Sequence, residues 1–200
     1  MCAINSHIIE LGYWRQNSKS QNPFYNMNLD VLRKLEGAFD GFSKCAAMID
    51  YHYCSHDMKD YPKFGESRLD MLRLTSRKED FLDALKFAEQ LKIETDLDIS
   101  FQVINSTNYS KEELLKVTKK ICQSNVDVVA YADSHGNLNL FNDYCKYEPS
   151  LDELRNNDIK TGFHLHNHTG RALSNYLFLC SKSIDYMDAS VNGVGKGLGN

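Results

Sequence analysis

The chain has 200 residues, 42% of them hydrophobic, a net charge of -4 and six cysteines with no CxxC pair; that supplies one sizeable core, so residues 1–200 are expected to form a single domain. No basic stripe invites nucleic acid, no apolar run approaches the roughly 20 residues of a membrane span, and the opening MCAINSHIIELGYW lacks the basic and apolar regions of a signal peptide. The cysteines therefore read as reduced thiols of a cytoplasmic protein rather than as a disulfide framework or a zinc ribbon.

Short apolar strands alternate with amphipathic helices along the whole chain. HIIELGYW reads as a strand, and MNLDVLRKLEGAF has helical spacing through Leu29, Leu32, Leu35 and Phe39. KCAAMIDY and RLDMLRLT are the next two strands. RKEDFLDALKFAEQLKIET is a helix whose stripe is Phe81, Leu82, Leu85, Ala88 and Leu91. DISFQVIN is a strand, and SKEELLKVTKKICQ a helix opened by a capping box, Ser110 with Glu113. VDVVAYADS is a strand and SLDELRNN a short helix. KTGFHLHNH is a strand, RALSNYLFLCSK a helix and IDYMDASV a seventh strand before a glycine-rich end. Seven strands alternating with helices predict a parallel α/β sheet covered on both faces. Its closed form is the (β/α)8 TIM barrel, of which this chain would be an incomplete copy, lacking strand 1 and helix 8. An open doubly wound sheet is the alternative from pattern alone.

Residues two apart in a strand share a face, so GFHLHNHTG places His164 and His166, with His168 a third candidate, on one side of a strand end. Two imidazoles at that spacing can hold one divalent ion; two hydrogen-bonded polar residues at a strand end are the competing reading. The closing DASVNGVGKGLGN lacks both the GxGxxG spacing and the lysine-then-Ser/Thr of a phosphate loop, so an open nucleotide-binding sheet is poorly supported. The loop YHYCSHDMKDY, with His52, Cys54, His56 and Asp57, matches no zinc spacing. YWRQNSKSQNPFYN is either a lid loop or a plain connection.

GFHLHNHTGRALSNYL followed by DASVNGVGKGLGN resembles the metal-dependent TIM-barrel lyases and acyl-transferring synthases. That family includes 4-hydroxy-2-oxovalerate aldolase, 3-hydroxy-3-methylglutaryl-CoA lyase and the homocitrate and 2-isopropylmalate synthases. The matching positions are His164, His166, Gly170, Ala172 and Asn175, then Gly199 and Asn200. ADSHGNL adds Asp133, Ser134 and Gly136, and IIELGYW adds Glu10 and Gly12, with a lean towards the aldolase-like branch. The resemblance implies a divalent metal on His164, His166 and Asn200, with His168 beside them. That nitrogen-and-oxygen set suits Mn²⁺ or Mg²⁺, with Zn²⁺ as the alternative. It implies carbon-carbon bond cleavage or formation beside a carbonyl, on a small 2-oxo acid or acyl substrate, through an enolate stabilised by the metal. Arg73 is the candidate for the substrate carboxylate, against an ion pair; Ser134 for a substrate hydrogen bond, against a turn former; Glu10 for a place beside the metal, against a buried paired residue. Asp133 is expected to hold its turn.

The family's hallmark is an Asp-Arg motif on strand 1, which this chain does not contain. The expectation is therefore a fragment, or a gene model begun too late. The alternative function is a catalytically inactive partial barrel that acts as a weak metal-binding or interaction module. Unpaired edge strands would favour self-association, so a homo-oligomer is expected.

Overall fold

The structure is a computed structural model that describes residues 7–15, 20–35, 37, 44–190, 193–195 and 197–198. The chain divides into two compact units, Met1–Phe101 and Gln102–Asn200.

In the first unit, strands β1 (Ile8–Tyr13), β2 (Lys44–Asp50) and β3 (Met71–Thr75) lie parallel and side by side in chain order. Helix α1 (Leu29–Lys34) follows β1, with the Asn28 carboxamide oxygen accepting the Val31 N–H at 3.0 Å as its N-cap. It ends earlier than the apolar spacing predicts, and Phe39 lies outside the described residues. Helix α2 (Phe81–Thr95) follows β3 and buries Ala84, Leu85, Phe87, Ala88 and Leu91, close to the predicted stripe; Leu82 is exposed. From Ala47 in β2 and Leu72 in β3 onward, burial alternates. Ala47, Ile49, Leu72 and Leu74 are fully buried on one face. The other carries Met48 and Asp50 beside their register partners Arg73 and Thr75, all half-buried.

The β1 register slips between Glu10 and Tyr13. Gly12 sits in this bulge at φ +149, and a Cβ there would stand 2.1 Å from the Phe24 carbonyl oxygen. The glycine of the Glu-x-Gly pattern thus lets the following segment return across the strand. Strand β4 (Asp98–Val103) runs from the first unit into the second.

In the second unit, helix α3 (Lys111–Ile121) precedes β5 (Val128–Asp133), α4 (Leu140–Asn156), β6 (Lys160–Leu165), α5 (Ala172–Leu179) and β7 (Tyr186–Asp188). Strands β5, β6 and β7 are parallel neighbours in that order. Two-residue strands β8 (Val194–Gly195) and β9 (Gly197–Leu198) pair antiparallel. The capping box is present: Ser110 Oγ accepts from the Glu113 N–H at 3.1 Å, and Glu113 Oε2 accepts from the Ser110 N–H at 2.8 Å. Strand β5 is buried on both faces, as its unalternating sequence predicts. Tyr131, Tyr147 and Phe163 pack as a triangle of rings with centroids 5.4 to 5.8 Å apart. Their hydroxyls are partnered in the core, Tyr131 with Thr118 at 2.7 Å and Tyr147 with Ser106 at 3.2 Å.

Helix α4 begins ten residues before the predicted Ser150. Leu140, Tyr144, Tyr147, Leu151 and Leu154 form one buried stripe that continues through Pro149. A proline inside a helix costs about 3 kcal/mol, and burial of two tyrosines and three leucines outweighs it. Among the described residues, neither unit contains the reversal of strand order that a doubly wound sheet requires.

Candidate active site

In β6, Phe163 and Leu165 point into the buried face, while His164 and the following His166 are half-buried on the other. The two imidazoles meet through their outer nitrogens, with Nε2 to Nε2 at 3.2 Å. Each inner nitrogen is anchored. His164 Nδ1 lies 2.8 Å from Asp188 Oδ2, and His166 Nδ1 lies 3.1 Å from the Ser134 carbonyl oxygen. A carbonyl oxygen only accepts, so Nδ1 of His166 carries its proton and its Nε2 presents a lone pair. Burial pushes the His166 imidazole below the usual histidine range; His164 and His168 add to that, and the Ser134 carbonyl opposes it. The neutral ring is the form that binds a metal.

Asp188 is the residue that reading the sequence misses. It lies 24 positions after His164 and becomes its partner through strand register, in which His164 pairs with Asp188 across β6 and β7. The Tyr176 hydroxyl, from α5, donates to the Asp188 backbone carbonyl and accepts the Leu165 N–H. It thereby ties the two strand ends that carry the histidine and the aspartate.

The turn after β5 supplies the other anchor. Asp133 is 1% exposed, and its carboxylate accepts the N–H groups of Asn137 at 3.2 Å and Leu138 at 2.9 Å. This is the turn-holding role its position predicts. The Ser134 hydroxyl accepts the Asn105 N–H at 3.0 Å, so Ser134 touches His166 through its backbone and not its side chain. Gly136 turns at φ +64, and a Cβ there would stand 2.8 Å from the His168 nitrogen and 3.0 Å from the His166 carbonyl oxygen. Gly136→Ala is therefore expected to destabilise the protein by about 1–3 kcal/mol, because backbone rather than a flexible side chain must give way; urea unfolding measures it, and an unchanged midpoint would refute the packing argument. His168 is exposed, with Nδ1 3.1 Å from the His135 carbonyl oxygen and its ring 5.4 Å from that of His166. Asn167 turns away from this row and accepts the Ala172 N–H at the start of α5. Asn175 is 2% exposed; it accepts the Leu140 N–H at 3.0 Å and donates to the Leu138 carbonyl at 2.9 Å. The asparagine of the helix motif thus holds the start of α4.

The histidine geometry can be tested against a metal. Two lone pairs 3.2 Å apart require a positive species between them, a proton or a metal ion. Nitrogens about 2.1 Å from one ion stand about 3.0 Å apart at right angles and about 3.4 Å apart at the tetrahedral angle, and the observed separation falls between. The carboxylate-histidine pair behind one ligand and the carbonyl-histidine pair behind the other are the supports that metal-binding histidines use. The residues fit two positions of one divalent ion. Among the described residues no group of three or more His, Cys, Asp or Glu side chains lies within metal-holding range, and Asn200 lies outside the described residues.

In the first unit, Arg73 Nη1 donates to Glu10 Oε2 at 2.6 Å, with the Arg73 side chain 11% exposed. The structure thus brings these two predicted residues together as an ion pair. Nearby, burial raises the Tyr13 hydroxyl to about 12, with Glu10 adding to the rise and Arg15 opposing it. The loop after β2 uses its metal-like residues internally. His56 Nε2 donates to the Tyr51 carbonyl at 3.0 Å, Asp57 caps a short 3-10 turn, and burial pushes the Cys54 thiol up to about 11.

Known proteins resemble this chain in both sequence and fold. The HMGL-like family model matches residues 66–200. Oxaloacetate decarboxylase of Mycobacterium tuberculosis is 29% identical over 132 residues, 66% of this chain and 38% of that protein. The 4-hydroxy-2-oxovalerate aldolase of Thermus thermophilus is 35% identical over 74 residues, 37% of this chain and 21% of that protein. The chain therefore spans well under half the length of these curated relatives. Among solved structures, HMG-CoA lyase from Brucella melitensis superposes with a TM-score of 0.69 at 18% identity, covering 96% of this chain and 70% of that one. The N-terminal domain of a predicted aldolase from Bacteroides vulgatus gives 0.71 at 23% identity, covering 96% of this chain and 63% of that one. These likenesses place the fold in the TIM-barrel class of α/β proteins.

Proposed function

This chain belongs to the HMGL-like family, and from that premise we propose that it serves a divalent-metal-dependent carbon-carbon lyase or aldolase acting on a small 2-oxo acid or acyl compound. The observation that carries the reading is the pair of Nε2 atoms facing each other at 3.2 Å with both Nδ1 atoms anchored. The relatives' names agree in chemistry, since a decarboxylase, an aldolase and a lyase each break a carbon-carbon bond.

His164 and His166 would hold the ion, with Asn200 as an oxygen donor; Mn²⁺ or Mg²⁺ suits that set, and Zn²⁺ is the alternative. Bound there, the cation supplies Lewis acidity to the substrate's carbonyl oxygen. Asp188 fixes the ring of His164, and the Ser134 carbonyl fixes that of His166, so both lone pairs are directed before an ion arrives. Arg73 offers a cation for the substrate carboxylate while Glu10 fixes its head group. The Ser134 hydroxyl keeps a free proton while accepting from Asn105, and it can donate that proton to a substrate oxygen. Five cysteines are free among the described residues, as in a reducing, cytoplasmic setting. No helix among the described residues is long and apolar enough to cross a membrane.

Calorimetric titration of Mn²⁺ into the full chain tests the reading. One saturable site is expected, and His164→Ala/His166→Ala should abolish it while circular dichroism stays unchanged. Saturable binding that survives in a folded double variant would place the metal elsewhere and refute the assignment.

A further inference from the structure

Beyond the end of β1, the Arg15 guanidinium carbon stands 4.5 Å from the Tyr13 ring centroid and 5.1 Å from that of Tyr53. Tyr13 is itself stacked on Tyr25, with centroids 5.7 Å apart. Two aromatic rings thus fix the plane of the guanidinium, as cation–π contacts do. One of its donors is unmet. Asp50 Oδ2 lies 3.6 Å from Arg15 Nη2, beyond hydrogen-bond range. Asp50 Oδ1 accepts the His52 N–H at 3.3 Å instead. Arg15 Nε is buried with no hydrogen-bond partner. A guanidinium has five N–H donors and none of them can be deprotonated away, so a buried unmet donor calls for an acceptor.

A second unmet group sits in the same layer. Thr75 pairs in register with Asp50 across β2 and β3, and residues in that relation share a face of the sheet. Its Oγ1 is also buried without a hydrogen-bond partner. The nearby Arg73 differs, because Glu10 grips it at 2.6 Å. One cation of this strand-end layer has a carboxylate within hydrogen-bond distance, and the other, with a hydroxyl beside its carboxylate partner, does not. The layer is largely buried and reaches solvent only in part, with the Arg15 side chain 16% and the Asp50 side chain 19% exposed. Arg77, whose Nη2 donates to the Tyr53 hydroxyl at 3.5 Å, adds a further positive charge at the rim.

We propose that Arg15, with the Thr75 hydroxyl, is a binding site for the carboxylate of a small organic acid. The planar fork of a guanidinium matches the two oxygens of a carboxylate. The clamping rings present its edge in one orientation, which lowers the ordering cost of binding. The site is built from the Met1–Phe101 unit alone and does not depend on the histidine pair.

The test is calorimetric titration of pyruvate into the EDTA-treated full chain, so that no metal contributes. The wild type should bind saturably. Arg15→Gln should weaken binding about 10- to 100-fold, and Arg15→Lys, which keeps the charge and loses the fork, should fall between. Thr75→Val should weaken it about 3- to 10-fold while leaving the ligand-free melting temperature unchanged or higher, because its hydroxyl has no partner to lose. Circular dichroism confirms that each variant is folded. Equal affinity in folded Arg15→Gln, or no saturable binding by the wild type, would overturn the proposal. Either result leaves the Mn²⁺ titration untouched.

Discussion

Asp133→Ala is expected to lower the unfolding free energy by about 3–5 kcal/mol. The carboxylate is 1% exposed and accepts two backbone N–H groups, those of Asn137 and Leu138. Hydrogen bonds to a charged group contribute about 1.5–3 kcal/mol each, and the donors left behind in the variant are themselves costly when buried. The damage extends beyond the turn. Gly136 N–H reaches the Asp133 carbonyl at 3.3 Å, and the same turn carries the Ser134 carbonyl that orients His166. Asp133→Asn keeps one acceptor oxygen and should cost about half as much. Urea unfolding followed by circular dichroism reads the effect as a shift in midpoint with an unchanged slope. A loss below about 1 kcal/mol in Asp133→Ala would mean that water replaces the carboxylate, and the turn would not be held as described.

Asp188→Ala is expected to weaken Mn²⁺ binding about 10- to 100-fold, the range measured when the residue behind a metal-bound histidine is removed. Asp188 touches the proposed ion only through His164, so it is a positioning residue. Asp188→Asn retains an acceptor and loses the charge, so its loss should be about tenfold or less. The ratio of the two variants is the readout that a purely structural role would not produce. If both bind Mn²⁺ within twofold of the wild type, the Asp188–His164 contact does not set the ligand's orientation. Expected melting temperatures stay close to the wild type, because the Asp188 backbone carbonyl keeps its bond from Tyr176.

Several elements were legible because their signals are local. The capping box at Ser110 and Glu113 needs only a spacing of three, and it forms as predicted. The stripe of α2 and the unbroken apolar run of β5 follow from period and length. His164 and His166 share a face because a strand has period two, and the Asp188 and Ser134 anchors then set how their rings meet. The start of α4 was hidden because Pro149 carries a strong local penalty, which is repaid only once Tyr147 packs against the rings of β5 and β6 and Tyr144 against Phe178 of α5.

The sequence by itself determined the alternation of strands and helices, the parallel α/β class, the histidine pair and the glycines at the bulge and the turn. These follow from side-chain period, capping chemistry and backbone sterics acting over a few residues. Only the tertiary structure decided what those residues meet. Asp188 reaches His164 across 24 positions, Glu10 reaches Arg73 across 63, and Arg15 comes to lie between Tyr13 and Tyr53 without a full set of acceptors. Such partnerships depend on strand register and on loops folding back, which are set by burial of the whole core rather than by any short stretch of chain.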